Sequence, residues 1–199
     1  MFVAIEGIDG SGKSTLATLL KNTLDYRHIP SFLTREPTGN FVMDELLTGK
    51  RDPESALKLF FRFTEDRFRH QEELKGHLDA NEVVICDRYL MSSLTYQGPL
   101  LAPLFDGTHD ALDWMLSVSK IIGIRPDVTI YLDIDPQSAM KRLSNRAART
   151  GFEETEYLER VRDIYRNLDM DGKVTFDATR TIQTVLKDVI DYLEPKLRK

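Results

Sequence analysis

The sequence predicts an α/β fold with a mainly parallel sheet covered by helices on both faces, and three observations carry that prediction. Short apolar runs alternate along the chain with longer segments whose apolar residues recur at helical spacing. The runs are continuously apolar, as strands buried on both faces are. At 199 residues the chain suits one domain spanning 1–199, and no linker, internal repeat or low-complexity segment divides it.

Residues 2–6 (FVAIE) form a β-branched run stopped by glycine, the mark of a buried central strand. A glycine-rich turn follows, and from Lys13 the residues Leu16, Leu19, Leu20 and Leu24 predict a helix ending near Tyr26. Residues 31–34 (SFLT) read as a second strand, running into the turn Arg35-Glu36-Pro37-Thr38-Gly39. Between about Pro53 and Leu78, the residues Leu57, Phe60, Phe61, Thr64, Phe68 and Leu74 predict one long helix. A third strand, 83–86 (VVIC), ends in Asp87-Arg88 and leads into a loop rich in leucine and proline. Leu112, Met115, Leu116, Val118, Ser119 and Ile122 predict a helix, and 128–132 (VTIYL) a fourth strand. Pro136 suits the first position of the next helix, whose stripe is Ala139, Leu143 and Ala147. The charged stretch 142–162, which contains Gly151, is expected to join two helices through a mobile connection. Residues 174–176 give a fifth strand and 182–193 a closing amphipathic helix.

Composition narrows the function classes. With 27 basic and 32 acidic residues the net charge is −5, so no global positive field exists to hold a nucleic acid polymer. Small phosphorylated ligands stay open, because a few clustered arginines can bind phosphate inside an acidic protein. Hydrophobic residues make up 41% of the chain, which rules out wholesale disorder. Cys86 is the sole cysteine, no secretory leader pattern opens the chain and no run is apolar enough to span a membrane, so the expected location is the cytoplasm. Cys86 itself is expected to be a small buried hydrophobe. His28, His70, His77 and His109 lack metal-ligand spacing and are expected at exposed helix or loop positions.

Gly7-Ile8-Asp9-Gly10-Ser11-Gly12-Lys13-Ser14, followed by Thr15, fits GxxxxGK[ST] between a predicted strand and a predicted helix. Its glycines let backbone N–H groups turn inward on phosphate oxygens, and the helix N-terminus adds favourable partial charge. Lys13 reaches the outer phosphates and Ser14 can ligate Mg²⁺. The pattern predicts ATP or GTP binding on a P-loop NTPase-type three-layer scaffold, with a five-stranded parallel sheet flanked by helices. By itself the loop does not separate a switch GTPase, a motor ATPase and a small-molecule kinase. The Asn-Lys-x-Asp run of a guanine reader is missing, and a motor would be larger, with an acidic pair closing an apolar strand. Asp87-Arg88 instead puts a carboxylate and a guanidinium at a strand's carboxyl end, where α/β ligand sites form. A surface ion pair is the alternative reading of those two residues.

The chain resembles the thymidylate kinases. These carry a phosphate loop like residues 5–15, an arginine turn like 34–37 (TREP), a helical FxxDR run like 63–67 and an acid-arginine run followed by YQG, as in 87–98. The resemblance implies transfer of the ATP γ-phosphoryl group to dTMP with Mg²⁺, which Ser14 and Asp87 would hold. Arg35 and Arg88 would grip the acceptor phosphate and Asp9 would meet the 3′-hydroxyl. Phe63 would stack on thymine, although a core aromatic is its other reading. Arg67, one turn away on the same helix face, would donate to a base carbonyl. Ser92, Ser93 and Gln97 would add polar contacts, and Tyr96 would disfavour a 2′-hydroxyl. The stretch 142–155 resembles a lid, in which Arg142 packs near adenine and Arg146 or Arg149 approaches the phosphates. Gly10 stands where some members carry a basic residue, so reliance on the lid arginines is implied. A homodimer is implied as well. Two other readings stay open: preference for another monophosphate such as dUMP, and a nucleotide-binding regulatory module with little turnover. The sequence departs from the common PGGT turn with Pro37-Thr38-Gly39-Asn40.

Overall fold

Five parallel strands run through the centre of the computed structural model, which describes residues 1–39, 51–144 and 152–197. They are β1 (Phe2–Glu6), β2 (Ser31–Arg35), β3 (Val83–Asp87), β4 (Val128–Asp133) and β5 (Lys173–Asp177), in the order β2-β3-β1-β4-β5. The helices are α1 (Lys13–Tyr26), α2 (Pro53–Asp79), α3 (Leu90–Leu101), α4 (Thr108–Val118), α5 (Pro136–Ser144), α6 (Phe152–Asn167) and α7 (Ile182–Leu197). The predicted α/β class, with helices on both faces of a parallel sheet, is what forms.

The period-two geometry of a strand explains why both faces are covered. Val3 and Ile5 of β1 join a core with Leu16 and Leu20 of α1, Val161 of α6 and Val189 of α7. Phe2 and Ala4 point the other way, into a core with Phe60 and Leu74 of α2, Leu94 of α3 and Met115 of α4. Cys86 is buried among the second set, as expected of a small hydrophobe.

Helix starts follow local chemistry. Asp52 caps α2 by accepting from the Ser55 backbone N–H at 2.8 Å, with Pro53 in the first turn. Asp135 does the same for α5 by accepting from Ser138 N–H at 2.7 Å. Two expectations need correction. The leucine- and proline-rich loop is instead helix α3, with Pro99 inside it. Full burial of Leu94 and Leu101, each worth about 1.5–3 kcal/mol, outweighs the hydrogen bond that Pro99 cannot make. The helix expected around 112–122 begins earlier, at Thr108, and yields after Val118 to a 3-10 turn at Ser119–Ile121.

Because all strands run the same way, the phosphate loop after β1, Asp87 and Arg88 after β3, Asp133 after β4 and Asp177 after β5 gather at one edge. Among the described residues no helix is long and apolar enough to cross a membrane.

Candidate active site

The phosphate loop is shaped by contacts that only glycine permits. A Cβ on Gly7, whose φ is +146°, would lie 2.7 Å from the Leu132 carbonyl oxygen. On Gly10, at φ +82°, it would run into the Ala139 carbonyl of α5. A basic side chain at position 10 would therefore displace α5, so charge for the phosphates has to come from other residues. The backbone turn buries Lys13, whose Nζ donates to the Ile8 carbonyl at 2.8 Å. Burial first, and then repulsion from Arg88, lower its ammonium to about 7. The Ser11 hydroxyl is buried and unpartnered.

Across the cleft stands Arg88, whose backbone takes φ +72°, a conformation costly for any residue with a Cβ. That turn aims its guanidinium at Asp9 in the phosphate loop, and the two form an ion pair. The alternative reading of a surface ion pair between Asp87 and Arg88 does not hold: Arg88 pairs with Asp9 and also donates to Ser92 Oγ at 3.2 Å. Burial would raise the Asp9 carboxyl, but Arg88 and Lys13 together hold it below its usual range. Tyr96 closes the cluster, its hydroxyl accepting from Asp9 N–H at 3.0 Å and its ring 5.5 Å from the Arg88 guanidinium. Arg35, exposed at the end of β2, lies opposite Asp87 in register.

Asp87 turns toward the phosphate loop. Its Oδ2 accepts from the Ser14 hydroxyl at 2.5 Å, while its Oδ1 is buried without a partner. A hydroxyl and a carboxylate with an unfilled buried oxygen fit Mg²⁺, which takes one or two protein oxygens and completes its shell with water and phosphate.

A second group of candidate residues lies on α2 and α3. Phe63 and Arg67 share a helix face, as their spacing predicts, with Phe63 half-buried and Arg67 fully buried. One terminal nitrogen of Arg67 donates to Ser93 Oγ at 3.1 Å, and the other is buried with no partner. Gln97, one turn beyond Ser93, buries an unpartnered amide oxygen. Asp66 ties this helix to the arginine turn, accepting from Thr38 N–H at 2.8 Å, Thr38 hydroxyl at 2.7 Å and Gly39 N–H at 3.0 Å. Those bonds give the variant PTG turn its anchor.

The sequence profile described as Thymidylate kinase matches residues 5–189. The chain belongs to the thymidylate kinase family. It is 40% identical over 203 residues to a probable thymidylate kinase of Thermoplasma acidophilum, covering 100% of this chain and 98% of that protein. Identity is 45% over 169 residues with a probable thymidylate kinase of Picrophilus torridus, 83% of this chain and 79% of the relative. A thymidylate kinase of Xylella fastidiosa is 35% identical over 204 residues, 100% of this chain and 92% of that one.

Within this thymidylate kinase family member, the structure adds residues that the sequence reading did not name. Glu6, wholly buried, accepts from Tyr89 N–H at 2.9 Å, Ser92 N–H at 3.1 Å and Ser92 hydroxyl at 2.6 Å. Tyr165 of α6 donates to it at 3.0 Å. Ser92, expected on the base side, therefore sits between Glu6, Tyr165 and Arg88, where it braces the arginine. A carboxylate closing an apolar strand just ahead of a phosphate loop was the signal for Glu6; Tyr165 had none.

A cleft of about 510 Å³ runs from the phosphate loop past Arg142 and Leu143 to the β5–α7 connection, lined there by Ala178, Arg180 and Thr181. Arg142 is anchored on it, donating to the Ala178 carbonyl at 2.8 Å. No pattern in the sequence marked that connection as part of the site. Arg146 and Arg149 lie outside the described residues. The histidine expectation needs correction too: His70 is buried against Glu36, and His77 is half-buried, stacked on Phe32 and bonded to Glu82. His28 and His109 are exposed as expected.

Proposed function

We propose that the protein transfers the γ-phosphoryl group of ATP to dTMP, giving dTDP and ADP, on the cytoplasmic route to dTTP. The observation that carries the acceptor is the pair of unsatisfied buried groups on α2 and α3: an Arg67 N–H donor and a Gln97 carbonyl acceptor. A buried polar atom without a partner costs about 1–3 kcal/mol, so such a pair selects a ligand that satisfies both. The imide edge of thymine offers an acceptor carbonyl beside a donor N–H, and Phe63 supplies a half-buried aromatic face beside it. A cytosine edge has the opposite polarity.

Chemistry follows from what faces the phosphates. Arg35 and Arg88 aim the acceptor monophosphate, one of whose ionised oxygens attacks the γ-phosphorus while the bond to the β,γ-bridging oxygen breaks and ADP leaves. That oxygen needs no base, so Asp87 serves to orient rather than to remove a proton. Lys13 and the loop N–H groups stabilise charge on the transferring group and on the leaving oxygen. Ser14 and Asp87 would hold Mg²⁺, which supplies neutralisation of phosphate charge. Asp9 meets the sugar 3′-hydroxyl, and Tyr96 lies against the deoxyribose. Arg142 packs on adenine, and the lid role of Arg146 and Arg149 is carried by the family resemblance alone.

An ADP-release assay with ATP, Mg²⁺ and a panel of dTMP, dUMP, dCMP, dGMP, AMP and UMP tests this reading. The expected result is clear preference for dTMP and no ADP release without an acceptor; equal use of dCMP would overturn the pocket assignment. The protein is further assigned as a homodimer joined through α2, which leaves Phe61 and Phe68 about half exposed, at 49% and 56%. Sedimentation should give twice the chain mass of 22.9 kDa, falling to one chain in Phe61→Asp/Phe68→Asp.

A further inference from the structure

A buried polar chain running from Arg67 through Glu36 to His70 deepens the proposed function and rests on its reading of Arg67 as a base contact. Besides the Ser93 bond, Arg67 Nε donates to Glu36 Oε2 at 2.7 Å. Two of its three nitrogens are thereby committed, which fixes the guanidinium plane and leaves the third for a ligand. Glu36 is itself held. Its other oxygen lies 3.1 Å from His70 Nδ1, which faces a carboxylate and so carries a proton and donates. On the far side of the ring, His70 Nε2 shares a hydrogen bond with the Thr34 hydroxyl at 3.0 Å, and the exposed Glu73 carboxylate lies 3.6 Å away. Arg67, Glu36 and His70 are 1%, 5% and 4% exposed, so water cannot substitute for any of these bonds.

A carboxylate and a guanidinium left to themselves pair through two parallel bonds, the stronger geometry. Glu36 does not do this here: one of its oxygens accepts from Arg67 Nε and the other faces His70 Nδ1. Without that hold, Glu36 would fork onto Arg67, displace Ser93 and turn the plane that presents the free N–H. We propose that His70, acting through Glu36, is a positioning residue that fixes which face of Arg67 meets the acceptor base, and so sets the preference for a carbonyl over an amino group there.

Two near-isosteric variants test this. The amide nitrogen of His70→Asn falls near the place of Nδ1 and can still donate to Glu36, whereas that of His70→Gln falls near Nε2 and cannot. The readout is the kcat/KM ratio of dTMP to dCMP in the full-length protein. His70→Asn should keep the ratio within about threefold of wild type. His70→Gln should lower it about tenfold through a raised KM for dTMP, with KM for ATP unchanged; a merely structural role would not produce that split. Equal ratios in both variants and the wild type would overturn the proposal. If His70→Gln does not fold, Glu36→Gln reads the same link, with a tenfold fall expected and an unchanged ratio overturning it. Arg67→Met separates the two levels of inference. A collapsed ratio there beside unchanged His70 variants refutes the positioning role alone, while an unchanged ratio in Arg67→Met refutes the base-contact reading beneath it.

Discussion

Replacing Lys13 with Met will lower kcat for dTMP phosphorylation by about a thousandfold, roughly 4 kcal/mol of transition-state stabilisation, while leaving the fold intact. The methionine keeps the apolar stem that the loop encloses and removes only the charge, which in wild type is held at the Ile8 carbonyl, 2.8 Å away. Steady-state kinetics with saturating ATP check it; a loss confined to KM for ATP would assign Lys13 to binding alone.

The same residue sets a pH dependence. In the nucleotide-free protein burial and Arg88 hold Lys13 near 7, so above that pH its amine is largely neutral. A bound triphosphate favours the charged form and raises the pKa. Binding above pH 7 must then take up a proton, and affinity for ATP is greatest below about pH 7 and weakens as pH rises beyond it, by at most about tenfold per unit. Calorimetry at pH 8 in two buffers of different ionisation enthalpy should show proton uptake in wild type and almost none in Lys13→Met.

Arg88→Gly will lower kcat/KM for dTMP by about a thousandfold and leave KM for ATP near its wild-type value. It removes the guanidinium that faces the acceptor and leaves the Asp9 carboxylate, now unpaired, to repel the incoming phosphate. The companion effect is on stability. A non-glycine residue at φ +72° costs on the order of 1 kcal/mol, and glycine relieves it. Against that stand the loss of an ion pair whose Asp9 side chain is half exposed and of the 3.2 Å bond to Ser92 Oγ, together about 1–2 kcal/mol. The melting temperature of Arg88→Gly should therefore stay within a few degrees of wild type despite the lost activity. A clear drop in melting temperature would recast Arg88 as a structural residue.

Much of the scaffold was legible because its signals are local. A β-branched run, a glycine-rich turn and a leucine stripe lie next to one another in the chain, so β1, the phosphate loop and α1 could be placed to the residue. The spacing of Phe63 and Arg67 put both on one face by helix geometry alone. The Gly98-Pro99 pair inside α3 is a local breaker and reads as a loop, whereas the burial that overrides it comes from α2 and α4.

What the sequence by itself determined, then, was the set of chemical groups and the elements that carry them: a phosphate loop, a strand ending in Asp87-Arg88 and a helix presenting an arginine. Tertiary structure alone decided which of those groups meet. His70 reaches Glu36 across 34 residues of chain, and Tyr165 reaches Glu6 across 159. It also turned Arg88 onto Asp9 rather than Asp87, buried His70 and brought the β5–α7 connection to the cleft beside the phosphate loop. The physical reason is that helix and strand periodicity are short-range properties of the backbone, while a hydrogen bond between distant residues is specified only once packing has fixed where both side chains lie and has excluded water from between them.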